Sequence, residues 1–164
     1  MIPKTTGETP MNTQVFASLL LAGILASAGA ATAQTGEGIY ASAGQITAMM
    51  AKTTDGVATA QVPTGAGTTM LAAHRTADGQ VEVHTKLNDE FVVRSGHATV
   101  LVGGKVEGNK ETAPGEWRGG TVTGAHAYTL GPGDVLWIPA GAPHQTLVPK
   151  GTSFSYFAFK FPNP

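Results

Sequence analysis

Residues 133–144 read Gly133-Asp134-Val135-Leu136-Trp137-Ile138-Pro139-Ala140-Gly141-Ala142-Pro143-His144. Gly133-Asp134 turns the chain into an apolar strand over residues 135–138, Pro139-Ala140-Gly141 turns it out again, and His144 opens the next strand. Beyond it, residues 145–148 and 154–161 read as the last strands, the final one rich in Phe and Tyr as a strand closing a core can be. Toward the N-terminus, residues 68–76 and 80–86 flank Asp78-Gly79, a pair suited to a type I′ turn. Residues 91–94 and 98–102 flank Ser95-Gly96-His97 in the same way, and Gly103-Gly104 and Gly119-Gly120 mark further turns. The spacing predicts successive hairpins and no repeat of fixed period.

Composition agrees with an all-β class. The 22 Gly and 10 Pro in 164 residues punctuate short runs, and the length suits one core rather than two. A net charge of -1, with no Lys/Arg cluster, leaves no electrostatic footprint for nucleic acid or an anionic membrane. With no Cys there is no disulfide, thiolate metal site or cysteine nucleophile. No nucleophile elbow, phosphate loop or pair of carboxylates stands out, so hydrolase and nucleotide-binding readings have no support.

Residues 133–144 resemble the second cupin motif, G-x5-P-x-G-x2-H, with every fixed position present; the usual later Asn is Val148 here. The first cupin motif is matched in part by Gly79, His84, Lys86, Glu90 and Gly96, with Lys86 where the second His of H-x-H would stand. The resemblance covers residues 68–161 and implies a double-stranded β-helix, a jelly-roll barrel, over residues 56–164. It also implies that His144 points into the barrel. Alternation places His84 and Lys86 on one face of a strand, with Glu90 on its neighbour.

The four-ligand site of that family therefore reduces here to His84, Glu90 and His144. Two imidazoles and a carboxylate suit Mn, Fe, Zn or Ni and leave positions open for a substrate. Lys86 argues the other way, because an ammonium repels a divalent cation and has no lone pair. Two readings stay open. In one, a metal-dependent enzyme acts on a small polar substrate, with Lys86 as a catalytic group that orients or protonates an anion. In the other, a non-catalytic module binds a small ligand without metal, and Lys86 pairs with Glu90. No other cofactor is implied, and a homodimer is a family expectation.

The remaining features have bland readings. His74, His97 and His126 read as structural, and Arg75 and Glu82 read as a cross-strand pair about the Asp78-Gly79 turn. Residues 104–125 read as a surface excursion, with Trp117 anchoring it to the barrel wall. Residues 34–55 form an N-terminal extension in which a short helix over residues 41–52 presents Ile46, Met49 and Met50 on one face.

Residues 15–30 form an uncharged apolar run, followed by Ala31-Thr32-Ala33 and Gln34. This matches a secretory signal peptide spanning residues 1–33, whether synthesis starts at Met1 or Met11. The run is shorter than the ~20 apolar residues a membrane span needs. It implies a periplasmic or secreted mature protein with no membrane contact after cleavage.

Overall fold

A computed structural model describes residues 38–50, 56–65 and 67–164. The predicted signal peptide and its cleavage site lie outside the described residues, as do residues 51–55 of the extension. In chain order the elements are α1 (Ala43–Met49), β1 (Val57–Val62), β2 (Thr69–Arg75), β3 (Glu82–His84), β4 (Leu87–Gly96), β5 (Ala98–Val102), β6 (Lys105–Glu107), β7 (Lys110–Ala113), β8 (Glu116–Arg118), β9 (Thr121–Thr123), β10 (His126–Leu130), β11 (Val135–Ile138), β12 (His144–Leu147) and β13 (Phe154–Pro162). Among the described residues no helix is long and apolar enough to cross a membrane.

The strands form a five-stranded sheet, β1-β2-β13-β4-β11, a six-stranded sheet, β10-β5-β12-β3-β8-β7, and a ribbon of β6 and β9. The pairs that build these sheets are antiparallel. Between the two large sheets lies one apolar core that includes Phe91, Val93, Val100, Ile138, Phe154 and Tyr156. Inward and outward positions alternate along the middle of β4, where Asp89, Phe91 and Val93 are buried while Glu90 and Val92 face the other way.

Two expected hairpins are not hairpins. β2 pairs with β1 and β13, whereas β3 pairs with β12 and β8. Asp78-Gly79 therefore carries the chain from one sheet to the other, tied there by Gly79 N donating to the Thr146 carbonyl at 2.8 Å and Val148 N donating to Asp78 Oδ1 at 2.7 Å. Gly96 likewise hands the chain from β4 in the first sheet to β5 in the second. Its φ of 77° and the Ser153 carbonyl, packed where a Cβ would stand, exclude a side chain there. Crossing between sheets at these turns winds the chain into a double-stranded β-helix instead of a meander.

The turns of residues 133–144 show why that stretch is so structured. Asp134 Oδ2 accepts from Gly131 N at 2.8 Å, closing the turn into β11. After β11, Ala142 N donates to the Pro139 carbonyl at 3.1 Å across a turn whose third residue, Gly141, has φ 81°. Gly141 N also donates to the His84 carbonyl at 2.8 Å, which seats the start of β12 beside the end of β3. Val148, where the motif has Asn, is a buried core residue.

The helix forms where expected but is shorter. Ser42 caps it, its Oγ accepting from Gln45 N while Gln45 Oε1 accepts from Ser42 N, a reciprocal capping box. Ile46 packs with Val62, Ala72 and Phe157 on the five-stranded sheet, with Met50 at the edge of that cluster. Met49 departs from the expected face: it is 44% exposed. The excursion of residues 104–125 is ordered into strands β6 to β9, and β8 extends the six-stranded sheet by pairing with β3.

Candidate metal centre

β3 is short, and its two inward residues are Glu82 and His84, two positions apart on one face. Cross-strand register sets Glu82 opposite both His144 of β12 and Arg118 of β8, and His84 opposite Glu116. On the facing sheet, Asp89 of β4 is in register with Lys160 of β13. These side chains meet between the sheets, where His84, Asp89 and His144 are almost fully buried.

Glu82, His84 and His144 each offer a ligand atom, and the three atoms lie within 4.8 Å of one another. The imidazoles are tilted at 47° with centroids 5.3 Å apart. His84 Nδ1 lies 2.5 Å from Glu116 Oε2, and His144 Nδ1 lies 3.2 Å from the Ala142 carbonyl oxygen. Each acceptor holds a proton on Nδ1, which leaves both Nε2 lone pairs aimed into the site. Asp89 Oδ2 faces the same space, 3.5 Å from His84 Nε2 and 3.7 Å from His144 Nε2.

The charges are closely matched. Arg118 is ion-paired with Glu82 and lies 3.5 Å from Glu116, Arg75 Nη2 is 3.5 Å from Glu82 Oε1, and Lys160 Nζ is 2.7 Å from Asp89 Oδ1. Burial pushes the Glu82 carboxyl up, but the guanidinium groups of Arg118 and Arg75 pull it the other way, and it is held well below the usual carboxylate range. Burial pulls His144 down from its ordinary value, against the nearby Glu82 and Asp89, and so favours the neutral imidazole that a ligand must be. Arg75 Nε also donates to the Tyr156 hydroxyl at 2.9 Å, and burial holds that phenol protonated by raising its pKa.

Beside this cluster opens a cavity of about 690 Å³. Leu71, Phe91 and Ala158 supply apolar wall, Gln80, Thr146 and Tyr156 supply polar groups, and Glu82, Asp89, His144 and Lys160 also line it. The volume lies within the range that small-molecule pockets span.

The structure brings together His84 and His144 but neither Glu90 nor Lys86. β3 ends at His84, and the chain bends at Thr85 and Lys86, so the alternation that would have set Lys86 beside His84 stops and Lys86 is exposed. β4 resumes with Asp89 inward. Glu90 is turned to the outer face, in register with Trp137 and Phe159. Lys86 and Glu90 thus do not form the pocket pair of the metal-free reading; Lys160 and Asp89 do.

The sequence singles out none of Asp89, Glu116, Arg118 and Lys160 as site residues, and it marks Glu82 only as the cross-strand partner of Arg75. The signal for Glu82 was its position two residues before His84 on the same strand. It does pair with Arg75, though across the barrel interior and not within a hairpin. Asp89 was one residue out of phase, and Glu116 and Arg118 lay in the stretch read as a surface excursion. Lys160 had no local signal.

Two facing antiparallel sheets wound from alternating strands make this a cupin-type jelly roll. No protein-family model matches the chain, and no curated protein matches it. Solved structures do. A recombinant oxalate oxidase in complex with glycolate is 14% identical, with a TM-score of 0.51 over 80% of this chain and 64% of its own. TT1209 from Thermus thermophilus is 16% identical, with a TM-score of 0.51 over 73% of this chain and 95% of its own. The Cnp3 cupin domain of Schizosaccharomyces pombe is 10% identical, with a TM-score of 0.50 over 67% of each chain. The chain spans less than two thirds of the length of some chains it matches, 64% for the oxalate oxidase and for Peruvianin-I from Thevetia peruviana latex. These likenesses show the cupin fold.

Proposed function

We propose that this cupin barrel binds a small polar molecule in its cavity beside a divalent-metal centre formed by Glu82, His84 and His144, and acts on that molecule as a metal-dependent enzyme. One observation carries the reading: both imidazoles have Nδ1 tied to an acceptor, and one ligand atom from each of Glu82, His84 and His144 lies within 4.8 Å of the others. The donor set fits Mn, Fe, Zn or Ni. When bound, such an ion would supply a Lewis acid toward an oxygen of the ligand. Gln80, Thr146 and Tyr156 would orient the polar end of that ligand, and Phe91 and Leu71 would exclude water from its apolar side.

The test is elemental analysis of protein purified without a His-tag and loaded in turn with Mn, Fe, Zn and Ni. The expected result is one ion per chain, retained in Glu90→Gln and Lys86→Met and lost in His84→Ala; well under one ion per chain after loading would defeat the reading. A second reading, a metal-free ligand-binding module, is favoured by the matched charges: Glu82, Asp89 and Glu116 stand against Arg75, Arg118 and Lys160. Ligand binding that survives chelation, with no turnover, would select it.

Export belongs to the same proposal, on the strength of residues 15–33. It predicts a mature periplasmic or secreted protein whose first residue is Gln34.

A further inference from the structure

Lys160 reaches the centre from the far sheet. Its Nζ donates to Asp89 Oδ1 at 2.7 Å, to Asp89 Oδ2 at 2.9 Å and to His84 Nε2 at 3.0 Å. The last contact uses the lone pair that a metal would need. The ammonium therefore stands in front of a ligand atom and satisfies a buried carboxylate at the same time.

We propose that Lys160 is a built-in competitor for the metal position: the site is held closed by its own ammonium, and a divalent ion enters only as Lys160 swings out. The inference rests on reading Glu82, His84 and His144 as the metal centre.

Three features support a two-position lysine. With Lys160 in place, three carboxylates face three cations, so the closed site is electrically balanced without an ion. A second cation added beside Lys160 would be repelled at a few ångströms in a poorly screened interior. The four-carbon stem is flexible, and Lys160 lines the adjoining cavity, which has room for its head group. Departure of Lys160 also frees Asp89, whose Oδ2 already lies near both Nε2 atoms, to act as a further donor. The lysine thus sets both how tightly an ion binds and how many carboxylates hold it.

Calorimetric titration of the untagged chain with Zn²⁺ and Mn²⁺ tests this, with circular dichroism to verify folding. Lys160→Met is expected to bind about tenfold tighter or more than the natural chain. Because Lys160→Met leaves Asp89 buried without its partner, Asp89→Asn is also compared with the Lys160→Met/Asp89→Asn double variant. The double variant is expected to bind tighter than Asp89→Asn alone. Affinities within twofold in both comparisons would overturn the competition while leaving the metal centre standing. Binding by the Lys160→Met variant alone would support the competition and overturn metal occupancy in the natural chain. Binding by neither would overturn both.

Discussion

His84 Nδ1 and Glu116 Oε2 are 2.5 Å apart, and Glu116 is in register with His84 across β3 and β8. A strand from an excursion between two barrel strands thus fixes the tautomer of a core imidazole. Such an acceptor behind a ligand histidine is worth about 10–100-fold in metal affinity. Glu116→Ala is accordingly expected to weaken Zn²⁺ binding by that range, measured by calorimetry, while the barrel stays folded. Unchanged affinity would mean that Glu116 serves only the Arg118 ion pair.

The depressed pKa of His144 makes a pH prediction for the metal-free protein. In the unfolded chain this imidazole takes up a proton near its ordinary 6.5, whereas in the fold it resists doing so. The unfolded state therefore binds more protons below that pH, and stability is lost as pH falls from 6.5 toward the folded value. Glu82, also depressed, extends the loss below its ordinary 4.5. Urea unfolding in EDTA is expected to show a midpoint that drops between pH 7 and 5, with a shallower slope in His144→Gln.

Gly96 is the crossing from β4 to β5. An alanine there would hold φ near 77° and press its Cβ on the Ser153 carbonyl. The conformation alone costs about 1–2 kcal/mol. Gly96→Ala is expected to lower urea stability by at least that amount, whereas Gly133→Ala, with open space around it, should show only the conformational part.

What could be read without the fold was local. Gly133, Pro139 and Gly141 specify two turns by their own chemistry, and those turns deliver His144 and clamp His84. The same chemistry at Asp78-Gly79 and Gly96 marked where the chain bends but not which sheet the next strand joins, so hairpins were expected where crossings occur. A two-residue bend, Thr85-Lys86, resets the alternation between β3 and β4, so Asp89 and not Glu90 faces inward, and the carboxylate grouped with the two imidazoles is Glu82, on β3 itself. Lys160 was invisible for a different reason: it stands 71 positions from Asp89, and only the pairing of β13 with β4 brings them together.

The central claim is that Glu82, His84 and His144 converge on one ion. Crystals of the untagged chain soaked with Zn²⁺ and measured at the zinc absorption edge test it most directly. One strong anomalous peak is expected about 2.0–2.1 Å from both His84 Nε2 and His144 Nε2, with a Glu82 oxygen at about 2.0–2.2 Å and Lys160 turned away. A map with no peak between the two imidazoles, and Lys160 still bonded to His84 Nε2 at saturating zinc, would contradict it.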